Sequence, residues 1–144
     1  MIFSKKFLII APHPDDEILG CGGLISKIKS NKGNVSILTV CNHMPPLYSE
    51  KDSIKTLNEM KKVHKFLKID KSINLKYPAC MLHKEDQYII NNLILNVIKK
   101  QKPNYVFIPF PDRHLDHKIV YESSMVATRP KFDMSFIKSV YTYE

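Results

Sequence analysis

Short, mostly apolar runs rich in β-branched residues recur along the chain at Phe7–Ala11, Val35–Cys41 and Tyr105–Phe110, separated by stretches with helical spacing. Runs that are apolar at both odd and even positions suit strands buried on both faces, which is the condition of a parallel sheet covered by helices. Ile137–Tyr143 reads as another such strand, and Ile73–Tyr77 as a weaker one stopped by Pro78. Between them, helices are expected over Asp16–Ser30, over Ile54–Leu67 with apolar residues at 54, 57, 60, 63 and 67, and over Asp86–Lys100. In the last of these, Ile89, Leu93 and Val97 form one stripe with Ile90, Ile94 and Ile98 beside it, and Lys99–Lys100 suits the negative end of the helix dipole. A further helix is expected from about Asp116 to before Pro130. The alternation predicts an α/β fold: a Rossmann-like open, mostly parallel sheet with helices on both faces, in one domain over residues 1–144. Such sheets place their sites beyond the carboxyl ends of the strands, at the switch in strand order. Asn42–Ser53 is the longest expected loop and leaves a strand at that edge, so it is a candidate for substrate contact or a lid.

Two strands of this pattern end in turns dense with histidine and acid. The first runs into Pro12-His13-Pro14-Asp15-Asp16-Glu17, and Tyr105–Phe110 runs into Pro111-Asp112-Arg113-His114-Leu115-Asp116-His117. In an open α/β sheet the two turns share one edge although about a hundred residues separate them in sequence. Asp15, Asp16 or Asp116 could each serve only to cap a helix. Capping, however, needs one acceptor, and carboxylates crowded side by side repel unless a cation relieves them. Two imidazoles and a carboxylate are also the protein ligands of an open catalytic zinc site, so the two turns together point to a metal centre.

The chain resembles the LmbE/PIG-L family of deacetylases. Its first strand ends in the family's HPDDE motif at His13–Glu17 and its later turn carries HxDH at His114–His117. The resemblance implies metal ligands at His13, Asp16 and His117, with Asp15 as general base and His114 stabilising the oxyanion or protonating the leaving amine. The implied cofactor is Zn2+, with Fe2+ or another divalent metal admitted by the same ligand types. The implied reaction is removal of an acetyl group from the amide nitrogen of a small-molecule N-acetylated sugar or glycoconjugate. Zinc-bound water, whose pKa the metal lowers to about 7, is the implied attacking group. Asp116 is expected either to hold His114 in orientation or to cap the last helix. Thr56 stands where the family commonly has the Arg of an Arg-x-x-Glu segment, which leaves Arg113 as another candidate anchor for substrate, and His43 as a residue that could reach the pocket from its loop. Family members continue past the position of Glu144, so the domain is expected to lack its C-terminal part.

The remaining chemistry narrows the alternatives. The net charge of +8 comes from 22 basic residues of which only Arg113 and Arg129 are Arg, and the Lys are scattered, which argues against a nucleic-acid partner. Cys21, Cys41 and Cys80 are odd in number and lack a CxxC pair; with no apolar segment of membrane-spanning length, they suit a cytoplasmic protein. Gly20, Gly22 and Gly23 do not complete a dinucleotide fingerprint, because Ile25 stands at the third glycine position; they are expected to let the first helix approach the sheet. Glu17 is expected to be structural, and His64 and His83 are expected to pack or lie exposed. A signalling receiver domain would need an Asp after Val35–Cys41, where Asn42-His43-Met44 stands. An Fe2+ oxygenase would use His114-Leu115-Asp116 but leave His13–Asp16 unexplained. A non-catalytic metal-binding interaction protein on the same fold is the remaining alternative.

Overall fold

The computed structural model describes residues 5–144. Strand β1 (Lys6–Ala11) leads to α1 (Asp16–Ser30), β2 (Asn34–Asn42), α2 (Glu50–Phe66) and β3 (Lys71–Pro78). Then follow α3 (Gln87–Gln101), β4 (Tyr105–Pro109), α4 (Leu115–Ala127) and β5 (Ser139–Tyr143), with single 3-10 turns before α3 and β5. The strands form one sheet in the order β3-β2-β1-β4-β5, every pair parallel. This is the open α/β sheet that the apolar runs predict. The order reverses between β1 and β4, the neighbours that carry the two His/Asp turns.

Alternation within the strands sorts the core into two layers. Leu8 and Ile10 of β1, Leu38 and Val40 of β2, and Val106 and Ile108 of β4 pack with Ile90, Ile94 and Ile98 of α3 and Val120 of α4. Phe7, Ile9, Val35 and Ile37 point the other way, onto Cys21, Ile25 and Ile28 of α1. Both faces of the central strands are therefore buried, and those strands are mostly apolar because neither face meets water, with Ser36, Thr39 and Asn42 of β2 as buried polar exceptions. At about 25 cal/mol per Å² of apolar area buried, side chains of this size contribute roughly 1.5–3 kcal/mol each.

Several boundaries differ from the sequence expectation for identifiable reasons. Helix α2 starts at Glu50, not Ile54, because Ser49 Oγ accepts the Asp52 N–H at 3.1 Å while the Asp52 carboxylate accepts the Ser49 N–H at 3.4 Å. That reciprocal cap shortens the expected Asn42–Ser53 loop to residues 43–49. The face that α2 buries is Met60 and His64; Ile54 is 63% exposed. His64 is not an ordinary packed residue: its Nε2 pairs with the Glu17 carboxylate at 2.9 Å and its Nδ1 meets Ser72 Oγ at 3.0 Å. Strand β3 is longer than Ile73–Tyr77, with an irregularity opposite Thr39–Cys41. Among the three glycines of α1, only Gly20 is required by packing. A Cβ there would lie 2.1 Å from the Tyr143 ring, whereas one at Gly22 would make ordinary contact and one at Gly23 would meet nothing. Among the described residues no helix is long and apolar enough to cross a membrane.

Candidate metal centre

Both His/Asp turns leave neighbouring parallel strands at the same end of the sheet, and their side chains converge there. His13 Nδ1 lies 3.3 Å from Asp16 Oδ2 and 3.3 Å from His117 Nε2, and His117 Nε2 lies 3.5 Å from the same Asp16 oxygen. Metal bonds of about 2.0–2.1 Å at tetrahedral angles set ligand atoms about 3.3 Å apart, so this triangle has the dimensions of three ligands around one zinc-sized ion. A second cluster, His13, His114 and Asp116, also gathers three donor atoms. There the 2.9 Å between His13 Nε2 and Asp116 Oδ2 is a hydrogen bond, shorter than a ligand edge.

The outer nitrogens of the two imidazoles are both held by carboxylates. Asp116, fully buried, takes His13 Nε2 at 2.9 Å, and Asp112 takes His117 Nδ1 at 2.9 Å. Carboxylate–histidine pairs of this kind fix ring orientation and raise the basicity of the inner nitrogen. The backbone completes the first turn: His13 N–H donates to Asp16 Oδ2 at 2.8 Å. Asp16 thus turns its carboxylate to the His13 N–H and the two imidazoles rather than to a helix cap, and Asp15, at the N-cap position of α1, makes no side-chain cap bond and stands exposed.

The expectation for Asp116 is corrected on both counts. The cap of α4 is His114, whose Nδ1 accepts the Asp116 N–H at 3.1 Å. The Asp116 carboxylate does not orient His114; it accepts from His13 and from the Cys80 N–H at 2.6 Å. The sequence pattern gives no sign of the contacts of Cys80 with Asp116 and His114, and the expectations for Glu17 and His64 do not include their pairing. The spacing of His64 four residues after Met60, on the buried face of α2, was the available signal for that pair. His114 stacks on His117 with ring centroids 4.8 Å apart and meets His13 edge-on at 4.7 Å. His43 is half-buried, 6.4 Å from His13 by ring centroid, and stacks on Tyr48 at 4.4 Å. Arg113 is exposed, and Glu59 rather than Thr56 lines a depression beside Asp15.

The electrostatics call for positive charge at this spot. Burial disfavours charge on His13, but the Asp116 and Asp16 carboxylates outweigh it and raise its pKa to about 9. Burial likewise opposes ionisation of Asp16, yet hydrogen bonds from His117 and His13 hold it well below the usual carboxylate range. His117 is raised, chiefly by its bond to Asp16. His114 is lowered, by burial and then by the charge on His13. Protons and a divalent ion would thus compete for the same nitrogens. Beside the triangle lies a pocket of about 400 Å³, lined by Asp16, Asp112 and His117 together with Leu19, Phe110 and Tyr143.

The profile of the PIG-L family, described as GlcNAc-PI de-N-acetylase, matches residues 8–128. An uncharacterized deacetylase from Escherichia coli K12, YaiS, is 34% identical over 132 residues, which span 87% of this chain and 69% of that protein. Diacetylchitobiose deacetylase of Thermococcus kodakarensis is 27% identical over 91% of this chain and 53% of its own length. In three dimensions, N,N'-diacetylchitobiose deacetylase from Pyrococcus horikoshii, solved with an inhibitor, superposes with a TM-score of 0.74 at 23% identity, covering 92% of this chain and 54% of that one. The chain thus spans between about half and about two thirds of the length of these proteins.

Proposed function

Because the chain belongs to the PIG-L family of GlcNAc-PI de-N-acetylases, we propose that it is a metal-dependent N-deacetylase acting on an N-acetylated sugar or sugar conjugate. The observation that carries this reading is the triangle of His13 Nδ1, Asp16 Oδ2 and His117 Nε2 with edges of 3.3–3.5 Å.

His13, Asp16 and His117 would hold one divalent ion, Zn2+ or Fe2+, and the two-nitrogen, one-oxygen donor set suits either. Such an ion supplies Lewis acidity that acidifies water and polarises an acyl carbonyl. Asp15, exposed, next to Asp16 in the chain and engaged in no cap, is free to take the proton of the attacking water as general base. His114 keeps its Nδ1 occupied by the Asp116 N–H, so its neutral ring carries the proton on Nε2. From there it donates a hydrogen bond to the oxygen as negative charge develops, while the proton that Asp15 takes from the water is the one passed on to the leaving amine. Asp116 and Asp112 hold the two ligand imidazoles from behind. The adjoining pocket is lined by both polar groups, which suit hydroxyls, and apolar or aromatic ones, which suit a sugar face, and this supports a saccharide substrate.

The deciding experiment is to purify the protein, measure bound metal, and incubate it with N-acetylglucosamine and diacetylchitobiose while following acetate and free amine. Metal-dependent release of both products is expected. Bound metal without hydrolysis of any N-acetyl sugar would favour the non-catalytic metal-binding protein instead.

A further inference from the structure

Cys80 sits in the turn that follows β3, with φ of 64°. That left-handed region suits glycine and costs a residue with a Cβ. The turn is nevertheless held firmly: Ala79 and Leu82 on either side are buried, and Ala79 N–H donates to the Asn42 carbonyl at 2.9 Å. A non-glycine residue kept in this conformation at a candidate active site invites the question of what its side chain does there.

Two contacts answer it. The Cys80 N–H donates to Asp116 Oδ2 at 2.6 Å, behind His13. The Cys80 sulfur lies 3.6 Å from His114 Nε2. The backbone contact would survive with glycine, which would also relieve the strained φ; only the thiol contact requires a side chain. Since His114 Nδ1 is taken by the Asp116 N–H, the proton of the neutral ring is on Nε2 and faces the sulfur. A sulfur is a weak acceptor. It can hold the direction of that N–H and yield it to an oxygen that is gaining negative charge, a much stronger acceptor.

Resting on the deacetylase reading above, we propose that Cys80 is a positioning residue: its thiol holds His114 Nε2 aimed into the site until the reacting acyl oxygen takes the proton's hydrogen bond over.

The test uses the zinc-loaded protein with Cys80→Gly and Cys80→Ser. Three things are measured: kcat and KM on whichever N-acetyl sugar the wild type hydrolyses, melting temperature with metal content, and the ring ¹⁵N resonances of His114. Cys80→Gly should melt no lower than wild type and keep its metal, with KM within about twofold and kcat lower by about tenfold or more. Cys80→Ser should recover most of that loss. The His114 Nε2 resonance should shift in Cys80→Gly and move back in Cys80→Ser. Unchanged kcat and an unchanged His114 resonance in Cys80→Gly would overturn the proposal, and so would a kcat loss that merely tracks lost metal or lost stability. A wild type that hydrolyses no N-acetyl sugar would sink the deacetylase reading instead. In that case the resonance alone decides: a shift confined to His114 supports the role of Cys80, and none refutes it.

Discussion

His13 and His117 meet nitrogen to nitrogen at 3.3 Å although 104 residues of chain separate them, and each ring is braced on its far side by an aspartate at 2.9 Å. One ion shared between these nitrogens and Asp16 should depend on all three residues. His13→Ala and His117→Ala are expected to purify with little or no metal, against about one ion per wild-type chain. Elemental analysis beside circular dichroism checks this; full metal retention in either folded variant would separate the two turns into independent features.

Asp15 should part metal binding from turnover. Asp15→Asn is expected to hold metal like the wild type while kcat falls by about a hundredfold or more, the usual contribution of a general base. Wild-type kcat in that variant would transfer the role of base to another group.

The two bracing aspartates differ in burial: the Asp116 side chain is fully buried, whereas that of Asp112 is 53% exposed. Asp116→Asn should lower metal affinity by about 10- to 100-fold, because it weakens the hold on His13 and removes the charge behind it. Asp112→Asn should cost less, since water can replace an exposed acceptor. Competition with a fluorescent zinc chelator ranks the two, and the reverse order would contradict the bracing role assigned to Asp116.

The glycines of α1 give a paired stability test. Gly20→Ala forces a methyl into the Tyr143 ring, 2.1 Å away, and is expected to destabilise by about 1–3 kcal/mol. Gly23→Ala meets nothing and should stabilise by about 0.4–1 kcal/mol through helix propensity and the unfolded chain. Urea denaturation of the two variants should therefore move the midpoint in opposite directions.

Protonation gives the metal-free protein a pH profile of definite sign. Burial opposes the charge on His13, but Asp116 and Asp16 raise its pKa from 6.5 to about 9. Its charged form therefore contributes stability that is fully present below about pH 6.5 and is lost as the pH rises through about 9. Asp16 and Asp116 are depressed, so their contribution holds above the ordinary carboxylate range and is lost in acid. With metal bound, the alkaline limb should reverse, because the ion replaces the proton on His13 and affinity rises with pH. Melting curves from pH 6 to 10, with chelator and with zinc, would show this crossing; parallel curves would refute it.

The residue types carried the sheet and the placing of the site. Strands with both faces buried are apolar at both parities, as Phe7–Ala11 is, and two such strands ending in His/Asp clusters at one edge leave few other arrangements. Other features lay outside that signal. Ser49 and Asp52 cap α2 through a reciprocal hydrogen-bond pair inside a polar stretch that reads equally well as loop. The carboxylate of Asp116 lies two residues from His114 in the chain yet turns to His13, because the fold sets its direction. The positive φ of Cys80 is a backbone property that cysteine does not advertise.

The strand reversal between β1 and β4 also bears on how such a chain can change over generations. An ion bound across it would close a loop of about a hundred residues, and the entropy of loop closure grows only as the logarithm of length, roughly 0.6 kcal/mol per doubling. Segments between the two turns, at the strand ends that face the same rim, can lengthen or shorten at little thermodynamic cost. The candidate metal centre and the loops around it are in this sense separable inheritances: a lineage can change the loops while leaving the His/Asp cluster in place.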